Sequence, residues 1–168
     1  MATPLNPSFL PNNKYEFVIE RLPNFTFYVQ GVLLPSITLG ATQTPTPFTT
    51  VYTPSNQLTY EQLQITYIVD EDMLSWFELY SWMTNLGNPT SFDKLGILTS
   101  QPGKKNSITS DATLLIKTNS NNTNVEVKFV DIFPIELTGF QFSTSEAQDF
   151  QTTSATFAFT YMTATKLT

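Results

Sequence analysis

The sequence of 168 residues contains no cysteine and no histidine. These absences exclude a disulfide framework, zinc sites built from thiolate or imidazole ligands, and nucleophilic catalysis of the Ser-His-Asp or Cys-His kind. Charge is also scarce, at 13% of the residues against about 25% in an average soluble domain. With 14 acidic and 8 basic residues, the chain lacks the clustered Lys and Arg with which proteins hold nucleic acid.

Long apolar runs are missing as well. No stretch reaches the 18 or so apolar residues of a transmembrane helix, so no membrane span is expected. Residues 1–13 have neither the positive nor the apolar region of a secretory signal and are rich in proline and asparagine. We therefore expect an extended N-terminal arm over 1–13, followed by a single domain over 14–168.

Neutral polar residues and aromatics take the place of charge. Hydrophobic residues make up 40% of the chain and include 14 phenylalanines, which is enough for a packed core. Strict alternation of apolar and polar residues predicts strands at 14–21, 58–69 and 152–164. A turn at Leu22-Pro23-Asn24 followed by alternating Phe25, Phe27 and Val29 predicts a second strand paired with the first.

No residue from Leu22 to Tyr60 is charged. The centre of this segment, 42–54, combines three prolines with many threonines, which is not the composition of a central strand. The pattern predicts a long loop or an irregular hairpin. Because long ordered loops usually serve binding or function, we expect Phe48, Val51 and Tyr52 to contact another subunit. The alternative is a flexible surface loop.

A single credible helix is predicted at about 71–86. Asp70 suits the N-cap, the acids Glu71 and Asp72 suit the positive end of the helix dipole, and Gly87 suits the C-terminal end. The helix is apolar on nearly every side, which indicates cover from more than the domain's own sheet. We expect part of that cover to come from another subunit.

The predicted strands carry uncharged polar faces, without the lysines that usually protect exposed sheet edges from pairing. A closed ring of subunits would remove such edges. The predicted fold class is therefore mainly β: a small β-barrel or sandwich with one flanking helix, able to form a ring.

The order of these features resembles the tail tube protein family of contractile-tailed bacteriophages. It is also similar to the inner tubes of contractile injection systems and type VI secretion. The resemblance is carried by a YEFVIERL strand, the Pro/Thr-rich segment, a QLQITYIVDED strand, the helix SWFELYSWM, a DIFPIELTGFQF segment and a closing ATFAFTYMTAT strand.

The resemblance implies hexameric rings that stack into a tube, with genomic DNA passing through the lumen during ejection and without specific binding. The implied partners are copies of the chain, the tail sheath protein, and baseplate and tail terminator proteins. The implied location is the virion tail, after synthesis in the host cytoplasm. Neither enzymatic activity nor a cofactor, catalytic residue or metal site is expected.

Two sets of residues follow from this family. The lumen-facing candidates are the uncharged polar strand positions Gln62, Gln64, Thr66, Ser154, Thr156 and Thr160. The candidates for contacts between subunits or rings are the apolar residues Phe48, Val51, Tyr52, Trp76, Leu79, Trp82 and Leu86.

Two alternatives stay open. A baseplate tube initiator or a tube terminator would share the fold of a repeating tube subunit. From a different class, a β-sandwich carbohydrate-binding module would also be rich in threonine and aromatics. It would need exposed aromatics on a strand face, whereas Trp76 and Trp82 lie on the predicted helix.

Overall fold

The computed structural model describes residues 8–87, 108–144 and 150–167. Residues 1–7 of the predicted N-terminal arm lie outside the described residues. The described elements, in chain order, are β1 (Tyr15–Ile19), α1 (Pro23–Phe27), β2 (Val29–Leu33), β3 (Ile37–Pro45), β4 (Thr50–Tyr60), β5 (Leu63–Ile68), α2 (Leu74–Leu86), β6 (Ser110–Lys117), β7 (Thr123–Leu137), β8 (Thr152–Ala158) and β9 (Tyr161–Lys166). None of the described helices is long and apolar enough to cross a membrane.

Two antiparallel sheets share the long strand β7. In sheet A, β6 pairs with β1 and with the first part of β7, and β9 lies on the other side of β7. In sheet B, the order is β2, β5, β8 and the second part of β7. Within the described residues neither sheet closes into a barrel, so the fold is a β-sandwich with a flanking helix. The predicted fold class is confirmed in this form.

The strand β7 changes partner because it bends. Asp131 has a left-handed backbone with φ of 57°, and the pairing register shifts between Pro134 and Glu136. A proline removes one ladder hydrogen bond and is tolerated at such an irregularity. The bend allows one strand to belong to both sheets.

The core lies between the sheets and beneath the helices. On β5 and β8 the predicted alternation is confirmed, since every second residue is buried while its neighbours face outward. The Phe25 ring packs edge-on against Tyr67, with ring centroids 4.6 Å apart, and also against Phe157. Such edge-to-face pairs add to the free energy gained by burial alone.

Residues 23–27 form a helix, so the predicted strand through Phe25 and Phe27 is wrong. Pro23 stands at the start of α1, where its missing N–H costs nothing. Glu78 on α2 accepts hydrogen bonds from the Asn24 side chain at 2.7 Å and from the Phe25 N–H at 3.0 Å. This tertiary cap, together with the complete burial of Phe25, stabilises a short helix over the strand that the alternation indicated.

The Pro/Thr-rich segment 42–54 is a hairpin and not a loop. β3 and β4 pair from Ile37 opposite Tyr60 to Pro45 opposite Thr50, with irregular pairing between Leu39 and Ala41. The prolines fit because each strand of a two-stranded sheet has a free edge. The irregular hairpin, one of the two forms predicted, is the one that is found.

Two predicted strands are each divided in two. The strand at 58–69 ends at Tyr60 and resumes at Leu63, and the strand at 152–164 ends at Ala158 and resumes at Tyr161. In both places the chain moves from one sheet to another. A continuous alternating pattern does not reveal such a crossing, since both halves keep the same period.

Candidate assembly surface

Four of the six lumen candidates lie together on the outer face of sheet B. Gln64 on β5 is opposite Thr156 on β8, and Thr66 is opposite Ser154. Gln64 and Thr66 are exposed and the two β8 residues are half-buried. The Ser154 hydroxyl lies 2.9 Å from that of Thr138, so the polar face continues beyond β8. The pairing of the strands therefore creates one continuous polar patch, beside which Glu136 stands opposite Thr156.

The other two lumen candidates lie elsewhere. Gln62 is in the two-residue link between β4 and β5. Thr160 is in the turn between β8 and β9, where its N–H donates to the carbonyl of Val130 at 3.0 Å. The expectation that Thr160 shares a strand face with Thr156 is wrong, because the chain has left sheet B at that point.

Charge separates the outer faces of the two sheets. Sheet A carries the ion pair of Lys117 with Glu16 at 2.8 Å and the pair of Lys128 with Glu126 at 3.3 Å. Within sheet B, β2, β5, β8 and the second part of β7 contain no lysine or arginine, and Glu136 is their single charged residue. Sheet A is thus an ordinary solvent-facing surface, whereas the face of sheet B lacks basic groups that could hold a polyanion.

Sheet B has two open edges among the described strands. One edge is β2, and the other is the second part of β7, from Phe133 to Leu137. Unpaired edges present free N–H and C=O groups that readily pair with another chain. Three antiparallel pairings separate these edges, so β2 and β7 run in opposite directions.

The hairpin of β3 and β4 is the most exposed part of the described structure. Its two strands pair with each other in a sheet of their own. Phe48, in the turn at its tip, is 99% exposed, and Val51 and Tyr52 are exposed as well. All three predicted contact residues of this segment are therefore accessible to a partner.

The helix α2 places its predicted contact residues on two different sides. Leu79 is fully buried and Trp82 is 2% exposed in the single chain, with the indole Nε1 of Trp82 donating to the carbonyl of Ile108 at 3.1 Å. These two residues belong to the core, so the expectation that they contact another subunit is corrected. Trp76 and Leu86 are half-buried.

Three exposed residues on the outer side of α2 were not among the contact residues predicted from the sequence. Leu74, Phe77 and Tyr80 are each about half exposed. The rings of Trp76 and Tyr80 stack with centroids 5.0 Å apart and planes 11° apart. The sequence predicted a helix that is apolar on nearly every side, but only the packing distinguishes the side that faces the core from the side that is open.

Asp70 caps α2 from four residues before its first helical residue. Its carboxylate accepts hydrogen bonds from the N–H groups of Leu74 at 2.9 Å and Ser75 at 3.0 Å, and from the Ser75 hydroxyl. Burial acts to raise the pKa of Asp70, but these hydrogen bonds outweigh it, and the pKa lies below its usual value. Asp70 therefore caps the helix as predicted, but not from the N-cap position, where Met73 stands. Glu71 and Asp72 precede the helix and do not form its first turn.

Tyr67 carries a buried hydroxyl for which the described residues offer no hydrogen-bond partner. Burial, and secondarily the charge of Asp70, raises the pKa of Tyr67. The hydroxyl therefore stays protonated within the core. No group of three or more acidic residues that could hold a metal ion occurs in the described ranges.

No protein family profile matches the sequence. The tail tube terminator protein of Enterobacteria phage T4 is 32% identical over an alignment of 97 residues, which covers 52% of this chain and 54% of that protein. The match thus spans about half the length of this curated relative. It is a likeness in sequence, found independently of the fold.

Two solved structures share the fold over nearly the whole chain. The tube-terminating cap of the anti-feeding prophage has a TM-score of 0.66 at 10% identity, covering 99% of this chain and 97% of that chain. The sheath/tube terminator of the extracellular contractile injection system PVC has a TM-score of 0.60 at 14% identity, covering 94% and 97%. At these identities the likeness concerns the fold.

The fold is that of the tube and tube-end proteins of contractile systems, which are structural components. Together with the likeness to the phage T4 protein, it confirms the resemblance to the tail tube family of contractile systems.

Proposed function

We propose that the chain assembles with copies of itself into a closed ring, and that this ring terminates the tail tube of a contractile-tailed particle. The observation that carries the terminal position is the 32% identity to a tail tube terminator. The open edges of sheet B support the ring. The tail sheath, the baseplate and neighbouring tube rings are the partners in this proposal, and the virion tail is its location.

The strand directions in sheet B suit a ring. Subunits of a cyclic ring all have the same orientation along its axis, so β2 of one copy would meet β7 of the next. Because β2 and β7 run in opposite directions within the chain, this junction would be antiparallel like the others. A ring of such junctions would leave sheet B without an edge.

The proposed ring encloses a lumen of useful width. With six copies, as the family resemblance implies, about 24 strands spaced about 4.8 Å apart give a barrel about 37 Å wide between opposite backbones. Strand tilt widens it further. That leaves room for double-stranded DNA. We propose that Gln64, Thr66, Ser154 and Thr156 line this lumen, where neutral side chains let the DNA pass without being held.

The second candidate is a repeating subunit of the inner tube, which conducts DNA during ejection. It is supported by the order of strand and helix motifs along the chain, which a tube subunit and a terminator share. The same order of motifs is the support for a tube initiator of the baseplate. The carbohydrate-binding module is not favoured, since the relatives in sequence and fold are tube proteins.

Mass photometry and negative-stain microscopy of the purified protein test the proposal. A terminator is expected to form single rings that do not lengthen into tubes. Tubes formed by the protein alone would favour the repeating subunit instead. Monomers at every protein concentration and ionic strength would refute the ring.

The position in the particle gives a second test. Quantitative mass spectrometry of purified tails, with the sheath protein as the internal reference, is expected to count one ring of this chain per tail. A copy number that rises with tail length would identify the repeating subunit and contradict the terminal position.

A further inference from the structure

The hairpin of β3 and β4 has one apolar face. Its pairing places Ile37 opposite Tyr60, Leu39 opposite Leu58, and Ala41 opposite Pro54. Paired residues share a face and alternate residues along a strand share it too, so these six lie on one side. The other side is rich in threonine, with Val51 opposite Thr44 as its apolar residue; the threonines are Thr38, Thr42, Thr44, Thr53 and Thr59.

The apolar face of the hairpin is covered within the described structure only at Tyr60, whose ring centroid lies 5.7 Å from that of Phe159. Ile37, Leu39 and Leu58 are each about half exposed, and Tyr52 further along is 64% exposed. A two-stranded hairpin is marginally stable on its own in water. The hairpin also lacks charged residues, which a surface meant to stay in water normally has. We therefore expect another surface to cover the apolar face of the hairpin.

Among the described residues, the outer side of α2 is a second apolar face without full cover. It consists of Leu74, Phe77 and Tyr80 with the half-buried Trp76 stacked against Tyr80. Glu78, the one charged residue of α2, is turned toward α1 and engaged there. The residues of this face carry no charge themselves, and the charged residues that line a groove with Leu74 and Phe77 are Arg21 and Glu78.

We propose that the apolar face of the hairpin in one copy covers the outer side of α2 in the neighbouring copy of the same ring. This contact rests on the proposed ring. The hairpin face is long enough to cover the helix face: Ile37 to Ala41 spans about 14 Å of strand, and Leu74 to Tyr80 spans about 9 Å of helix. Both are uncharged.

Two different faces on each chain favour a head-to-tail arrangement. Such a heterologous contact repeats from copy to copy and can close into a ring, whereas hairpin pairing with hairpin would stop at a dimer. That dimer would also leave the outer side of α2 uncovered. A contact within one ring, unlike one between rings, covers both faces even in a lone terminal ring.

The size of the contact fits a supporting role. Taking about 200 Å² for a large apolar residue, the exposed parts of the two faces amount to about 700 Å². A stable pair of proteins usually buries about 1,200 Å² or more. The hairpin contact therefore supplements the pairing of strand edges and is not expected to hold two copies together alone.

Cysteine crosslinking tests the contact, since the natural chain contains no cysteine. The double variant Leu39→Cys/Phe77→Cys places thiols on the two faces, at positions that are half exposed. Assembled protein is treated with a short bismaleimide and separated on a denaturing gel. We expect a ladder of crosslinked species that ends at the closed ring.

The matched control is Thr42→Cys/Phe77→Cys, with the first thiol on the polar side of the hairpin. We expect at least tenfold less crosslinking there. An equimolar mixture of the single variants Leu39→Cys and Phe77→Cys is expected to give crosslinked dimers, which shows that the contact joins two chains.

The outcomes separate the contact from the ring. Rings that form but crosslink equally in the variant and its control would overturn the contact and leave the ring intact. Crosslinking within the Leu39→Cys single variant alone would indicate hairpin-to-hairpin pairing and overturn it too. Absence of any assembly by mass photometry would refute the ring, and this contact with it.

Discussion

Replacing Trp82 by alanine tests whether α2 belongs to the core of the single subunit. The indole is 2% exposed, donates a hydrogen bond to the Ile108 carbonyl at 3.1 Å, and lies beneath the Arg21 guanidinium at 4.9 Å. Loss of a buried Trp side chain costs about 3–5 kcal/mol. A domain is stabilised by only about 5–15 kcal/mol, so the loss would be severe.

The measurement is thermal unfolding followed by far-UV circular dichroism. It is made at low protein concentration, because assembly stabilises the folded state and would mask the effect. At this chain length about 1 kcal/mol corresponds to about 2–4 °C. We therefore expect the melting temperature of Trp82→Ala to fall by roughly 6–20 °C.

Trp76→Ala is the matched control. Trp76 is half-buried on the outer side of the same helix and stacks on Tyr80. Its loss is expected to cost about 1 kcal/mol of unfolding free energy. If Trp82→Ala melted like the wild type yet failed to assemble, the assignment of Trp82 to the core would be refuted. The contact between subunits indicated by the sequence would then be right.

Three further predictions concern single groups. Asp70→Ala is expected to lower the unfolding free energy by about 0.5–2 kcal/mol at neutral pH. Because the pKa of Asp70 is lowered in the folded state, this stabilisation is present above the unfolded pKa of about 3.9 and is lost as the pH falls through the folded pKa. A difference in urea midpoint between the wild type and Asp70→Ala that persists below that range would contradict the assignment. Tyr67→Phe is expected to leave the urea midpoint unchanged or raise it, since it removes a buried hydroxyl without a partner in the described residues; a loss above about 1 kcal/mol would contradict this. Rings carrying Gln64→Lys and Thr156→Lys are expected to bind double-stranded DNA in fluorescence anisotropy at low salt, unlike wild-type rings; equal binding by both would remove these residues from the lumen.

Much of the fold could be predicted from local chemistry. The alternation on β5 and β8 follows from the two-residue period of a strand with one buried face, and it holds from Leu63 to Tyr67 and from Thr153 to Phe157. The helix at α2 follows from its apolar spacing and from Asp70, whose carboxylate can reach the first free N–H groups. Both are local properties.

Other elements depend on contacts between distant residues. The segment at Phe25 alternates like a strand but forms α1, because Glu78 caps it and the ring fills the core between Tyr67 and Phe157. The chain crosses between sheets at Thr160 without any break in its pattern. The residues next to Phe25 and Thr160 in the sequence indicate neither the helix nor the change of sheet.

By itself the sequence determined the alternation of the strands, the position of α2 and the scarcity of charge. These features indicated a structural tube protein, and the comparisons find a likeness to tube terminator proteins in part of the sequence and in the fold. Only the tertiary structure decided which surfaces are free. The sequence does not distinguish an apolar side chain that fills the core, such as Trp82, from one that is exposed on the opposite side of the helix, such as Phe77. The direction in which each face points is set by packing against residues far away in the chain.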